Sequence, residues 1–111
     1  MKLNEKKINE FFKIINEKKI KSVFQPIISL KTGEIVSFEA LSRITLESCT
    51  LNIEELFKIA NTIEQSWKLD QLCRKCAIKA SQQMPSGKKL FINVDANILL
   101  DSDFVQGFTK E

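Results

Sequence analysis

Residues 22–43, SVFQPIISLKTGEIVSFEALSR, decide the fold of this chain. Two segments rich in apolar residues flank a short polar stretch, and the second segment alternates with period two, which predicts β-strands at residues 23–30 and 34–44. Lys31-Thr32-Gly33 connects them, and Gly33 can adopt the positive φ that a tight hairpin turn requires. We therefore expect the two strands to be antiparallel neighbours.

The side chains of the second strand fall into two sets. One set is apolar and is expected to face packed helices: Val36, Phe38, Ala40 and Ile44. The other set is mixed and carries one acid and one base: Ser37, Glu39, Leu41 and Arg43. This second face suits the inside of a barrel near its mouth, where a carboxylate must be paired or bound to a metal. An ordinary amphipathic strand with Glu39 in water is the alternative, and alternation alone leaves both open.

Three helices are predicted around these strands. Residues 4–19 form an amphipathic helix with Asn4 as its N-cap and the apolar residues Ile8, Phe11, Phe12 and Ile15 inward. Its lysines could serve a partner or a membrane surface, but they are mixed with glutamates, which favours a helix that covers the barrel. Asn52 is the expected N-cap of the second helix. The third helix spans residues 66–84 and ends before Pro85.

A third strand at residues 89–94 follows the helices. Because a helical crossover precedes it, this strand is expected to be parallel to the second. In the third helix, Asp70 is expected to form a surface ion pair with Arg74 four residues later, with a role in orienting the helix as the alternative. A short, weak helix pattern covers residues 99–108.

Composition limits the class of protein. The chain has 111 residues, which fits one domain, and 43% hydrophobic with 28% charged residues is an ordinary globular composition. We find no apolar run long enough for a membrane span and no signal peptide, so the expected location is cytoplasmic. The net charge of +3 is mild and the lysines are scattered, so DNA and RNA are not expected as partners.

Three cysteines, Cys49, Cys73 and Cys76, make an odd count that does not suit a closed disulfide framework. Cys73-x-x-Cys76 could indicate a redox or zinc half-site, but the sequence contains no histidine and no second such pair. The spacing instead puts both on the apolar side of the third helix. We therefore expect the thiols to pack as small hydrophobic side chains.

Several motifs together resemble one known family. They are Gln25-Pro26-Ile27, Gly33-Glu34-Ile35-Val36, Phe38-Glu39-Ala40-Leu41-x-Arg43, Trp67-Lys68-Leu69-Asp70 through Cys76-Ala77, and Phe91-Ile92-Asn93-Val94-Asp95. In this order the motifs resemble the N-terminal portion of the EAL family of bacterial cyclic di-GMP phosphodiesterases. The resemblance runs from about residue 22 to residue 111.

The resemblance implies an α/β fold, the first part of a modified TIM (β/α)8 barrel with an antiparallel first strand. Its elements would be an N-terminal helix, a β-hairpin, two helices and a third strand. Residues 1–111 would then be a partial EAL domain. Residues 1–20 would form the N-terminal helix and residues 21–111 the first three barrel strands with their helices.

The same resemblance implies a site at the carboxyl ends of the strands. Glu39 is the catalytic residue and a metal ligand, and Asn93 is the second ligand. Carboxylate and amide oxygens suit a hard cation such as Mg2+ or Mn2+. Gln25, Leu41 and Arg43 match positions that line the bound cyclic dinucleotide, and the Arg43 fork is well shaped for phosphate.

The implied reaction is hydrolysis of cyclic di-GMP to linear pGpG by water that the divalent metal activates. The family supplies further ligands from later strands, so this chain alone is expected to be inactive, and whether it is an enzyme stays open. Its exposed sheet edges are expected to pair with another copy or with the remainder of an EAL domain. The alternatives are a non-catalytic EAL-derived module that binds cyclic di-GMP or a protein partner, and a small α+β scaffold without a ligand.

Overall fold

The computed structural model describes residues 2–85 and 87–93. Their elements, in chain order, are α1 (Glu5–Glu17), β1 (Ile20–Ile28), β2 (Ile35–Ile44), α2 (Ile53–Thr62), α3 (Ser66–Ser81) and β3 (Lys89–Ile92). The strands form one sheet in the order β1-β2-β3, in which β1 is antiparallel and β3 parallel to β2. The predicted element order and strand directions are confirmed. Val94, Asp95 and the helix predicted at residues 99–108 lie outside the described residues.

The hairpin turn forms as predicted. The Ser29 amide donates to the Glu34 carbonyl and the Gly33 amide to the Ser29 carbonyl, both at 2.9 Å, and Gly33 has φ 71°. The predicted limits of β1 were wrong at both ends. The strand begins at Ile20, which is buried and pairs with Ile44, and it ends before Ser29 because that residue already closes the turn.

Helix α1 begins where its cap predicts. The Lys7 amide donates to Asn4 Oδ1 at 2.9 Å, and the helix ends at Glu17, so the predicted helical segment 1–20 also contains the first residue of β1. Its buried side chains are Phe11 and Ile14. The prediction that Phe12 points inward was wrong: its side chain is 38% exposed, because the buried stripe is centred on the i,i+3 pair of residues 11 and 14.

Helix α2 begins with a complete capping box. The Glu55 amide donates to Asn52 Oδ1 at 2.8 Å, and the Asn52 amide donates to Glu55 Oε1 at 3.3 Å. Glu10 in α1 fixes the loop before this helix, since its carboxylate accepts from both the amide and the hydroxyl of Thr50. The two hydrogen bonds between Glu10 and Thr50 hold the start of α2 beside α1, and both helices contribute to one core.

Helix α3 covers the apolar face of the hairpin. Ala40 is buried, Ile44 packs against the core, and the Cys76 thiol donates to the Ile20 carbonyl at 3.5 Å. The helix ends at Ser81 rather than at residue 84. Val36 was predicted to face helices but is 49% exposed, because the packing does not extend to the turn end of the hairpin, where Leu30 is fully exposed.

The core cluster lies between the three helices and the start of β1. Its buried members are Phe11, Ile14, Ile20, Leu51, Leu56, Ile59, Ala60 and Leu69. None of the helices in the described ranges is long and apolar enough to cross a membrane. The mixed set of β2 residues lies on the opposite face of the sheet, where Ser37 is buried, Glu39 and Leu41 are half-buried, and Arg43 is exposed.

Leu69→Ala is expected to lower the free energy of unfolding by about 2–5 kcal/mol, because the substitution removes a fully buried side chain and leaves a cavity. Leu30→Ala is the matched control, since Leu30 is fully exposed and its truncation should change stability by less than about 0.5 kcal/mol. Urea denaturation followed by circular dichroism measures both. Equal losses in the two variants would contradict this core assignment.

Candidate functional site

The mixed face of the sheet carries two polar residues side by side, next to an aromatic residue of β3. Glu39 pairs with Gln25 on β1 and with Phe91 on β3. Directly paired residues of neighbouring strands point to the same face, so these three side chains lie side by side. Glu39 is half-buried, while Gln25 and Phe91 are exposed. Two of the predicted site residues, Gln25 and Glu39, are therefore neighbours across the hairpin.

Further along β2 this face becomes cationic. Leu41 pairs with Val23, and Arg43 pairs with Lys21 on the neighbouring strand. The Arg43 guanidinium is exposed, and Nη1 donates to the carbonyl of Ser42 at 3.1 Å. Two positive side chains thus lie beyond Glu39 at the carboxyl end of β2. A phosphate at this end would meet charge of the opposite sign.

Asn93 directly follows β3. The last ladder pair is Ala40 with Ile92, so Asn93 lies one residue past the pairing and is exposed. It has the same parity as Phe91, the neighbour of Glu39. Asn93 therefore lies past the Glu39–Phe91 pair, at the carboxyl end of β3.

A cavity of about 440 Å³ opens where the ends of β2 and β3 meet α2 and α3. Three of the predicted residues, Leu41, Arg43 and Asn93, are among those that line it. Gln25 and Glu39 are not among the described lining residues. The structure therefore places Leu41, Arg43 and Asn93 at this cavity. Gln25 and Glu39 lie beside each other on the neighbouring part of the hairpin.

Asp70 also lines this cavity, and its prediction as a surface residue was wrong. The expected ion pair exists, with Arg74 Nη1 at 3.9 Å from Asp70 Oδ2, but Asp70 is only 3% exposed. The Arg74 guanidinium also lies 5.1 Å from the centroid of the Trp67 ring. Asp70 shares a helical face with Cys73 and Ala77, and that spacing is the signal that indicates burial. The pairing itself was predictable from i,i+4 spacing.

The described residues do not complete a metal site. No group of three or more His, Cys, Asp or Glu side chains in residues 2–85 and 87–93 is arranged to hold a metal ion. Mg2+ prefers octahedral coordination by oxygen, and Glu39 with Asn93 would supply two ligands. The oxygen donors of this pair fit a hard cation. Two ligands are too few, however, to complete its coordination shell.

The two helix cysteines pack as expected. Cys73 and Cys76 lie against the core cluster. Burial raises the pKa of the Cys73 thiol to about 11, against a smaller lowering by a hydrogen bond with Ser42. Burial also raises the pKa of Cys76, while the nearby Lys79 and Lys18 lower it. Since the thiolate is the form that binds metals and attacks electrophiles, Cys73 stays in its unreactive thiol form near neutral pH.

Comparison with known proteins assigns the chain to a family. The family model for the EAL domain matches residues 8–111. A structure of Vibrio cholerae LapD S helix-GGDEF-EAL, in the apo form, superimposes with a TM-score of 0.78 at 13% identity and covers 99% of this chain and 27% of that one. A search of curated proteins gives no match.

Two structures of a FimX EAL domain have a similar fold. The structure from Pseudomonas aeruginosa bound to c-di-GMP gives a TM-score of 0.74 at 20% identity, over 92% of this chain and 42% of that one. A second FimX EAL structure gives 0.70 at 18% identity, over 97% and 44%. The chain thus spans less than half the length of the structures it matches. Its α/β fold is the first part of a modified TIM barrel with an antiparallel first strand. The chain belongs to the EAL domain family.

Proposed function

We propose that this chain is the N-terminal part of an EAL phosphodiesterase that hydrolyses cyclic di-GMP to linear pGpG. The observation that supports the proposal is the register that sets Glu39 beside Gln25, with Asn93 one residue beyond the end of the neighbouring strand β3. Gln25, Arg43 and Asn93 are exposed, so a ligand can reach them. A cation shared by Glu39 and Asn93 requires both side chains to turn to the same side of the sheet.

Each residue has a role in the proposal. Glu39 and Asn93 are two oxygen ligands of Mg2+ or Mn2+, and Glu39 is the catalytic member of the pair. A divalent metal held by these residues would supply water of lowered pKa and offset negative charge on the phosphate. Arg43 holds a phosphate with its planar fork. Gln25 and Leu41 line the nucleotide.

The remaining ligands would come from later strands of an EAL domain. β1 and β3 are the edges of the described sheet, and each presents unpaired backbone groups to a further strand. The remainder of the domain, or a second copy of the chain, would pair there. Residues 1–111 are in this proposal a partial domain.

A second candidate function is a module that binds cyclic di-GMP without hydrolysing it. The FimX EAL domain from Pseudomonas aeruginosa, 20% identical in sequence, was solved bound to c-di-GMP. The incomplete ligand set of the described residues is compatible with binding through Arg43 alone. Metal dependence separates the two candidates, because only the first one needs Glu39 as a ligand.

Glu39→Ala is expected to abolish metal-dependent binding of cyclic di-GMP, because the substitution removes a charged ligand of the cation. Isothermal titration with Ca2+ present measures the affinity. Glu34→Ala is the matched control, since Glu34 is an exposed acid at the hairpin turn, and it should bind like the native chain. Binding that ignores both Ca2+ and Glu39 would favour the non-catalytic module, and no binding at all would favour a scaffold without a ligand.

Arg43→Ala is expected to weaken cyclic di-GMP binding by roughly 10- to 100-fold, the usual cost of losing a charge-assisted hydrogen bond to an anion. Arg43→Lys keeps the charge but not the fork, so its affinity should fall between the two. The same titration measures both variants. An Arg43→Ala affinity equal to the native value would remove Arg43 from the site.

The purified 111-residue chain is expected to release no pGpG from cyclic di-GMP with Mg2+ or Mn2+, because Glu39 and Asn93 supply too few ligands to fix the metal and its water. Chromatography of the nucleotide products measures turnover. The control is a longer protein that carries the complete set of EAL strands. Release of pGpG by the short chain, lost in Glu39→Ala, would contradict the expected inactivity.

A further inference from the structure

A second groove runs between the end of α1, the start of β1 and a lateral face of α3. Its volume is about 880 Å³. Five lysines line this groove: Lys18, Lys21, Lys68, Lys75 and Lys79. We call it the lysine groove. Three of its lysines, at positions 68, 75 and 79, are one and two turns apart on the same face of α3, so their charges act together.

The charge of the lysine groove is not neutralised within the described structure. None of the described residues that line it is acidic, although the chain as a whole has 14 acidic residues against 17 basic ones. No ion pair within 4.0 Å joins any of the five lysines to a described carboxylate. Lys18 and Lys79 are close enough to Cys76 to oppose the effect of burial on its pKa. The groove therefore has a positive potential that an anionic partner would complement.

The floor of the lysine groove is apolar. Ile15, Ile20, Leu72 and Ala80 line it beneath the lysines. At its β1 side the Ser22 hydroxyl oxygen is buried without a hydrogen-bond partner among the described residues. Apolar area beneath a charged rim is the arrangement that receives an amphipathic helix or extended peptide.

The lining distinguishes between anionic partners. Single-stranded nucleic acids stack their bases on aromatic side chains and arginines, and the described lining contains neither. A free phosphate or polyphosphate would use the lysines but leave the apolar floor in water. A protein segment with acidic residues on one side and apolar residues on the other would satisfy both parts of the groove.

We propose that the lysine groove is a docking site for an acidic amphipathic segment of a partner protein. The segment's apolar side covers the floor formed by Ile15, Ile20 and Leu72, and its carboxylates meet the lysines of α3. The site is independent of Glu39 and Arg43, so it adds a protein interaction to the nucleotide site. Rim charges of this kind govern the rate and salt dependence of association.

The test uses the whole 111-residue chain and a fluorescent synthetic helical peptide with leucines on one face and glutamates on the other. Anisotropy should show binding that weakens as sodium chloride is raised, because salt screens exposed charges. The same peptide with glutamine for glutamate should bind on the order of ten-fold more weakly. This charge-free peptide isolates the contribution of the apolar floor.

Variants locate the contact. Lys68→Gln with Lys75→Gln and Lys79→Gln should weaken binding of the glutamate peptide on the order of ten-fold, from three lost rim contacts. The matched control replaces three exposed lysines outside the groove, Lys2, Lys13 and Lys31, by glutamine and should bind like the native chain. Circular dichroism verifies that both variants are folded.

Three outcomes would overturn the proposal. The first is equal affinity for the two lysine variants, which would mean that the groove is not the contact. The second is competition by inorganic polyphosphate as effective as that of the unlabelled peptide, which would indicate a site for anions alone. The third is cross-linking of Lys75 to later residues of the same polypeptide in a longer EAL protein, which would show that the groove is filled internally.

Discussion

The antiparallel pairing of β1 with β2 is the constraint on which the rest of this structure depends. Its register sets Gln25 opposite Glu39 and Lys21 opposite Arg43, so one face of the hairpin collects the polar side chains. The other face carries Ile20 and Ala40, which are buried, and Ile44, which packs against the core. A slip of one residue would exchange the two faces, exposing the apolar set and burying a carboxylate and a guanidinium.

The two sides of β2 therefore differ in function: one contributes to stability and the other carries the candidate site. On one side, the helices provide the buried area that stabilises the sheet, and on the other side Glu39 remains half-buried and accessible. The cavity near Arg43 and Asn93 joins the two sides at the carboxyl end of the strand. Asp70 contributes a buried acid there from α3, paired with Arg74. Helix α3, which packs on the sheet, thus also contributes to the cavity at the carboxyl end of β2, where the nucleotide is proposed to bind.

Features that depend on a few adjacent residues were predictable from the sequence. Asn4 and Asn52 cap their helices, and Gly33 closes the hairpin, because each needs only local hydrogen bonds or a permitted φ. The start of β1 was not predictable in this way. Ile20 joins the strand through its partner Ile44, which is more than twenty residues away in sequence. The local alternation of residues does not indicate that contact.

In the predicted site, too, burial depended on contacts between residues distant in sequence. The family motifs identified Glu39, Arg43 and Asn93, and alternation assigned Glu39 to a face, but neither indicated that Asp70 is buried. A charged residue beside a basic one at i,i+4 usually lies in water, but the packing of α3 on the sheet buries Asp70, and its helical spacing with Cys73 and Ala77 was the local sign of this. Val36 and Phe12 failed in the opposite sense, because an apolar pattern does not state how far a neighbouring helix extends.

The short turn of the hairpin also fixes an order of assembly. Residues 29–34 join β1 to β2, whereas β2 reaches β3 only through α2 and α3. The entropy lost on closing a loop grows with its length, so the near-neighbour strands can meet long before the distant one. The contact between Gln25 and Glu39 therefore needs closure of a short loop only, whereas bringing β3 to its edge of β2 requires the whole α2–α3 crossover to be ordered. Substitutions in the crossover helices can thus disturb the β3 edge while leaving the hairpin register as it is.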